Sequence, residues 1–125
     1  MSFLFLVMAG GAIGAGARYL VGQATAALLG QSWPYGTLIV NIGGGLAMGL
    51  LAGILARMAL PSEAVRLFVG VGILGGFTTF SAFSLEMVTM LERGALVTAA
   101  GYALASVVGS VIALFAGLSL ARGLA

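Results

Sequence analysis

Hydrophobic residues fill this chain in four long blocks, which short stretches of polar and turn-forming residues separate. Because the hydrocarbon core of a bilayer is about 30 Å thick, a helix needs about 20 mainly apolar residues to cross it. The blocks at 3–29, 35–60, 65–91 and 95–120 are all long enough. They do not alternate apolar with polar residues, as the strands of a transmembrane β-barrel do. The pattern therefore predicts an all-α, multi-pass membrane protein with four helices in a single transmembrane domain.

The third block has a sequence that forms helices poorly. Gly75 and Gly76 are followed by Phe77 and by two β-branched residues, Thr78 and Thr79, and both residue types lower helix propensity. We therefore predict a break in the third helix near these five residues. Backbone groups that a break frees at membrane depth must be bonded by protein, water or an ion, and broken helices form ion sites in transporters. A kink without a ligand is the other interpretation.

Small residues recur at every fourth position of the second and fourth blocks. Residues at that spacing lie on one face of a helix and let two helices approach closely in a membrane. The two rows are Thr37, Asn41, Gly45, Gly49 and Gly53 in the second block, and Gly101, Ala105, Gly109, Ala113 and Gly117 in the fourth. We interpret most of the 21 glycines of the chain as packing positions.

Composition excludes several classes of function. Of the 125 residues, 62% are hydrophobic and only 6% are charged, and the chain has neither His nor Cys. Enzymatic catalysis is not expected, because the chain also lacks Lys and paired carboxylates that act as base or nucleophile. The net charge of +2 is spread over helix ends rather than gathered in a patch, which argues against nucleic acid as a partner.

The arginine positions bear on orientation in the membrane. Arg57, Arg66 and Arg122 lie on the side of the N-terminus, whereas Arg93, together with Arg18 inside the first block, lies toward the opposite side. Positively charged loops tend to stay in the cytoplasm, so a cytoplasmic N-terminus is favoured. The excess of one or two charges is too small to impose a single orientation.

Polar side chains within the blocks are candidates for function, since each is costly in a bilayer. Asn41 can donate hydrogen bonds to an anion or bridge two helices, and the sequence favours neither. Thr98, Tyr102, Ser106 and Ser110 recur at every fourth position and place their hydroxyls in one stripe. The stripe is either a polar path or a set of hydroxyls bonded to their own backbone.

Two phenylalanines, Phe80 and Phe83, lie three residues apart just after the predicted break and therefore share a helix face. Large apolar rings usually belong to a core or contact lipid, but the positive edge of an aromatic ring can also favour an anion. Hydrogen-bond donors in the blocks outnumber carboxylates, of which only Glu86 lies away from the ends. This inventory fits a small anion better than a cation.

Three segments of the chain together resemble one family. They are GGAIGAGARY at 10–19, GTLIVNIGG at 36–44 and GGFTTFSAF at 75–83. In this order, and with the length and span count of the whole chain, they are similar to the small bacterial and archaeal fluoride channels of the CrcB/Fluc type. The resemblance implies a fluoride-selective ion channel through which the ion leaves the cell passively, and thus a role in fluoride resistance.

The same resemblance implies partners and a bound ion. The family's channels are homodimers whose two subunits lie in opposite orientations in the lipid bilayer of the cytoplasmic membrane, with two fluoride pores at their interface. Such a dual topology would explain the weak charge bias. The resemblance also implies a structural sodium ion at the dimer centre, held by main-chain carbonyls that correspond here to those of Gly75 and Thr78.

The fluoride path of the family is implied to pass two phenylalanine edges, an asparagine donor and a row of hydroxyls. The corresponding residues here are Asn41, Thr79, Phe80, Ser81, Phe83, Tyr102, Ser106 and Ser110. Arg18 is expected to draw anions into a vestibule. Two positions depart from the family: Ala82 stands where it often has Thr, and Leu46 where it often has Phe. Ala82 is therefore not part of the expected site.

Three other functions stay open at this point. A proton-coupled fluoride antiporter would use Glu86 as its titrating group. A small four-helix multidrug exporter needs a carboxylate in its first span, and the first block here has none. A non-transporting membrane assembly protein would leave the broken helix and the hydroxyl stripe without a role.

Overall fold

The computed structural model describes residues 2–123, and four of its helical segments are long and apolar enough to cross a membrane. In chain order the elements are α1 (Phe3–Leu29), α2 (Tyr35–Arg57), α3 (Glu63–Val65), a π-helix (Arg66–Leu74), α4 (Gly75–Phe77), α5 (Ser81–Glu92) and α6 (Leu96–Gly123). The elements from α3 to α5 together form the third span, Glu63–Glu92. The prediction of an all-α protein with four spans is confirmed.

The third span is interrupted at residues 78–80, where its sequence predicts a break. Thr78 has extended torsion angles (φ −83°, ψ 160°), whereas α4 still forms a helical turn. The interruption thus begins three residues after Gly75, because glycine lowers helix propensity without forbidding a helix. The preceding segment is wound as a π-helix, a rare form that occurs frequently at functional sites, and the Gly75 amide bonds there to the carbonyl of Gly70.

The second span ends earlier than its hydrophobic block. α2 stops at Arg57, and Met58 is already extended (φ −80°, ψ 137°), although the apolar run continues to residue 60. Pro61 contributes to this end, because in a continued helix it would have no N–H for the carbonyl of Arg57 and its ring would clash with that carbonyl. Hydrophobicity alone marks what is buried in the membrane, not where the helix ends.

Close packing joins α1 to the first half of the third span. Glycines make this approach possible, because a Cβ atom on Gly10 would collide with the carbonyl oxygen of Phe68. On the other helix, a Cβ atom on Gly76 would lie 2.6 Å from the carbonyl oxygen of Gly11. Backbone-to-backbone contact of this kind is how small residues hold membrane helices together.

A second pair consists of α2 and α6. A Cβ atom on Gly49 would collide with the carbonyl oxygen of Leu114, and one on Gly45 would lie 2.8 Å from that of Ser110. These two positions belong to the row of small residues in the second block. The spacing in the sequence thus predicted that these two glycines pack against a helix, and the structure shows that this helix is α6.

The second half of the third span packs less closely and carries large side chains. Phe83 and Met90 on α5 form a buried cluster with Ala99 and Tyr102 on α6. This cluster lies on the side of the break that faces the loops at 30–34 and 93–95. It fixes the position of the aromatic residues of the site.

Candidate functional site

At the break, side chains take over hydrogen bonds that a continuous helix makes with its own backbone, in which each amide bonds to the carbonyl four residues earlier. The amide of Thr79 donates to Asn41 Oδ1 (2.8 Å) instead of to the carbonyl of Gly75. The amide of Ala82 donates to the hydroxyl of Thr79 (3.1 Å) instead of to the carbonyl of Thr78. The carbonyls of Gly75 and Thr78 thus lack the partners that an uninterrupted helix would provide.

Asn41, on α2, holds the backbone of Thr79 at two points. Its Nδ2 donates to the carbonyl oxygen of Thr79 (2.9 Å), while its Oδ1 accepts from the Thr79 amide (2.8 Å). This pairing sets the orientation of the side-chain amide, because the reversed amide would bring donor against donor. Asn41 therefore bridges two spans, and the second N–H of its Nδ2 is left over for another acceptor.

A cavity of about 420 Å³, which we call the inner cavity, lies beside the break between α2, the third span and α6. Its polar lining comes from Asn41, Thr78, Thr79, Ser106 and Ser110. Apolar side chains, including two phenylalanines, form most of the remaining wall. Among the described residues that line it, none has a charged side chain.

Phe80 and Phe83 lie together in the wall of the inner cavity. Their ring centroids are 5.5 Å apart and their planes are tilted by 42°. Phe83 is buried in the α5–α6 cluster, whereas Phe80 is 77% exposed on the chain by itself. Because the edge of an aromatic ring carries partial positive charge, these two rings are candidates for contact with an anion.

Ser106, on α6, has a buried hydroxyl without a protein partner. The residue is 6% exposed, and its Oγ makes no hydrogen bond with any residue that the structure describes. An unsatisfied buried hydroxyl costs about 1–3 kcal/mol, so such a group needs an explanation. Ser106 lines the inner cavity, so a hydrogen-bonding ligand held there would satisfy its hydroxyl.

A second cavity, of about 370 Å³, opens toward the loop at 30–34, and we call it the vestibule. Glu86 lies in its wall, and both of its carboxylate oxygens are bonded. The Thr37 hydroxyl donates to Oε2 (3.0 Å) and the Tyr102 hydroxyl donates to Oε1 (2.7 Å). Arg18 is another lining residue, so the vestibule contains both a basic and an acidic group.

Thr79 lines both cavities, so its two sides separate the vestibule from the inner cavity. The ring of Tyr102 lies 5.2 Å from the ring of Phe83, which lines the inner cavity, and 5.2 Å from that of Trp33. Trp33 is itself a lining residue of the vestibule. A row of three aromatic rings, in edge-to-face and tilted contacts, thus extends from the inner cavity to the vestibule.

The three sequence motifs and this geometry occur in a chain that matches one family model over residues 5–118. The description of that model is "CrcB-like protein, Camphor Resistance (CrcB)". The chain belongs to the CrcB family.

Several curated relatives are similar to this CrcB-family chain over nearly their whole length. The "Fluoride-specific ion channel FluC" of Sphingopyxis alaskensis is 59% identical over 124 residues, which are 99% of this chain and 98% of the relative. The protein of the same name from Mesorhizobium japonicum is 58% identical over 121 residues, 97% of each chain. That of Caulobacter sp. (strain K31) is 57% identical over 123 residues, 98% of this chain and 96% of the relative.

In this CrcB-family chain, most of the residues that the sequence predicts for the path lie together. Six of the eight line the inner cavity: Asn41, Thr79, Phe80, Phe83, Ser106 and Ser110. Tyr102 is completely buried and contacts Phe83 and Glu86, and the exposed Ser81 lies with its hydroxyl 3.4 Å from that of Thr79. The carbonyl-bearing residues Gly75 and Thr78 line the same cavity.

Two residues of the site were not assigned to it from the sequence. Glu86 is recognisable as the only carboxylate away from the ends of the hydrophobic blocks, and this is the signal that could have placed it in the site. Thr37 has no such signal, because it fits the row of small packing residues and its partner Glu86 is 49 positions away. Thr98, the first member of the predicted hydroxyl stripe, is exposed.

Proposed function

We propose that this chain is one subunit of a fluoride-selective ion channel, through which fluoride leaves the cell passively. The observation that carries the proposal is the unpartnered hydroxyl of Ser106, which lines an uncharged cavity together with Asn41 and two phenylalanines. Burying an ion is very costly unless hydrogen bonds replace its water. Hydroxyl and amide donors offer that replacement to an anion, and fluoride is the halide that accepts hydrogen bonds most strongly. Relatives covering nearly the whole chain are named fluoride-specific channels.

The proposed path runs from the vestibule past Thr79 into the inner cavity. Fluoride would meet the leftover N–H of Asn41, the edges of Phe80 and Phe83, and then the hydroxyls of Ser106 and Ser110. Tyr102 and Ser81 flank this path, which agrees with their contacts to Phe83 and Thr79. A passive path needs no titrating relay, so Glu86 is assigned to shaping the vestibule rather than to proton coupling.

We assign the functional unit to two copies in opposite orientations in the cytoplasmic membrane. The inner cavity is open on one side of a single chain, and Phe80 stands exposed at its edge. An ion path cannot face lipid, because the hydrocarbon offers the ion no hydrogen bonds. A second copy would cover this side. The nearly balanced arginines on the two membrane faces are compatible with either orientation of each copy.

A sodium ion at the centre of the dimer fits the carbonyl oxygens that the break leaves without a helical partner. Carbonyl oxygens coordinate monovalent cations in membrane channels and transporters, and the carbonyls of Gly75 and Thr78 have lost their helical partners. We assign these two main-chain oxygens as its ligands, in agreement with the family resemblance. When bound, the ion would supply a fixed positive charge where the two copies meet.

Efflux from liposomes tests the proposed function. The purified protein is reconstituted into vesicles loaded with potassium fluoride or potassium chloride, and release is followed with ion-selective electrodes after valinomycin is added. We expect fast fluoride release that depends on valinomycin, and hardly any chloride release; protein-free vesicles are the control. A lack of fluoride release would overturn the proposal. Release that requires a proton gradient instead of valinomycin would identify an antiporter.

A further inference from the structure

Arg18, in the middle of α1, is bonded to the backbone of the broken third span. Its Nε donates to the carbonyl oxygen of Gly76 (3.2 Å), 58 residues further along the chain, in a partly buried contact. In a continuous helix this carbonyl would accept from the amide of Phe80. Since Phe80 lies in the break, the guanidinium of Arg18 provides the donor that the helix has lost.

The contact lies directly before the residues that line the proposed path. The Gly76–Phe77 peptide is followed by the extended Thr78, and then by Thr79 and Phe80 at the inner cavity. Asn41 holds the far side of the same short segment through both main-chain groups of Thr79. The break is thus held at two points, one from α2 and one from α1.

An arginine is suited to this contact in a way that a simple positive charge is not. The guanidinium is planar and offers several N–H donors, so Nε can bond to the carbonyl while the other N–H groups stay available to the vestibule, which Arg18 also lines. A lysine has the charge but carries its donors at a single terminal atom. Attraction of anions alone would therefore not distinguish the two residues, whereas support of the break would.

We propose that Arg18 is a positioning residue of the conduction path: through the Gly76 carbonyl it holds the break in the shape that presents Thr79 and Phe80 to the ion. This inference rests on the proposed fluoride conduction, but it concerns a structural contact that can be measured by itself. It predicts that loss of the contact lowers the maximal flux. A residue that only gathers anions would instead change the fluoride concentration needed for half-maximal flux.

Solid-state NMR can observe the contact selectively, because Gly76–Phe77 is the only Gly–Phe pair in the sequence. Protein labelled with carbonyl-¹³C glycine and ¹⁵N phenylalanine gives one directly bonded ¹³C–¹⁵N pair, which selects the Gly76 carbonyl. In wild-type protein that also contains ¹⁵Nε-arginine, we expect a dipolar contact between this carbon and an arginine Nε. Its absence would overturn the proposal without any variant having to fold.

Arg18→Lys keeps the positive charge of the side chain but removes the guanidinium that bonds to the break. Arg93→Gln is the control, because it removes a positive charge away from the break. Arg93 follows α5 on the membrane side toward which the vestibule opens, so its loss removes a positive charge without touching the break. In Arg18→Lys we expect an upfield shift of the Gly76 carbonyl signal and a lower maximal fluoride flux with an unchanged half-saturating concentration. Arg93→Gln should leave the carbonyl signal and the maximal flux unchanged.

Two results would overturn the assignment of Arg18. One is an unchanged Gly76 carbonyl signal in Arg18→Lys, and the other is a flux that high fluoride concentration restores to the wild-type maximum. Wild-type protein without any fluoride flux would contradict the proposed function instead, and the carbonyl signal would still report on the contact.

Discussion

The vestibule and the inner cavity share Thr79 as a lining residue, yet their walls differ in charge and in how their polar groups are bonded. In the vestibule, both oxygens of Glu86 accept hydrogen bonds, and the basic Arg18 donates to a main-chain carbonyl. In the inner cavity, the Ser106 hydroxyl has no partner among the described residues, and the lining side chains that the structure describes are uncharged.

The difference indicates a division of tasks along the proposed path. A site whose polar groups already bond to one another has a lasting shape but few donors to offer an ion. A site with unused donors loses stability without a ligand and regains it when the ligand binds. We therefore expect substitutions in the inner cavity to change flux strongly, and those of vestibule residues without a bond to the break to change it weakly.

The largest effect is expected for Asn41→Ala. The substitution removes both bonds to Thr79, leaves the Thr79 amide without its partner, and takes away the donor proposed for fluoride. The combined loss of about 3 kcal/mol corresponds to a flux on the order of a hundredfold lower. Fluoride efflux from liposomes measures it. An unaltered rate would mean that the path does not pass Asn41.

Phe80→Ile should have the next largest effect. Isoleucine keeps an apolar side chain at this exposed position but has no positively charged ring edge, so flux is expected to fall by roughly tenfold or more. Phe115→Ile is the control, because Phe115 is an exposed phenylalanine on α6 that does not line the inner cavity. Equal efflux rates for the two variants would contradict a role of the Phe80 ring.

Ser106→Ala separates function from stability. Removal of a buried hydroxyl without a partner should leave the free energy of unfolding unchanged or raise it by about 1 kcal/mol, because the cost of burying the hydroxyl disappears. Fluoride flux should nevertheless fall by about tenfold, as one hydrogen bond to a charged group is lost. Ser119→Ala, an exposed serine further along α6, should change neither the melting temperature in detergent nor the efflux rate. A destabilised Ser106→Ala protein would show that the hydroxyl has a structural partner.

The smallest effect is expected from an added methyl group, and it compares the two cavities directly. In Gly44→Ala the new Cβ would collide with Cγ2 of Thr78 at the inner cavity, which costs about 1–3 kcal/mol and lowers flux a fewfold. In Gly22→Ala the Cβ meets no described atom within 4 Å, although Gly22 lines the vestibule. Thermal stability and efflux together check the pair. Equal stability and equal efflux rates of the two variants would show that the inner cavity is not packed more tightly than the vestibule.

The sequence predicted the parts of this protein that depend on local chemistry. Four apolar blocks predict four spans, because backbone groups in hydrocarbon must bond to one another within a helix. The pair Gly75 and Gly76 before Thr78 and Thr79 predicts a break, because the same residue types lower helix propensity wherever they occur. The sequence motifs around these residues also indicated the family to which the chain belongs.

Local chemistry did not determine the partners across helices. The row with Thr37, Asn41 and Gly45 looks uniform in the sequence, yet Gly45 packs on α6, Asn41 holds the break and Thr37 bonds to Glu86. Likewise, Tyr102 and Ser106 occupy equivalent positions of one stripe. The Tyr102 hydroxyl donates a hydrogen bond to Glu86, whereas the Ser106 hydroxyl has no hydrogen-bond partner among the described residues. The sequence did not indicate the partners of the residues in either row.

The physical reason is that a continuously apolar helix does not specify its own rotation. In a soluble protein the polar face of a helix indicates which side turns inward, but lipid and neighbouring helices are almost equally apolar, so the pattern carries little of this information. Rotation is set instead by where glycines allow backbones to touch, as at Gly49 and Leu114. The sequence by itself determined the four spans, the position of the break and the family. Only the tertiary structure decided that Asn41 and Arg18 bond to the backbone at the break, and that the Ser106 hydroxyl has no partner among the described residues.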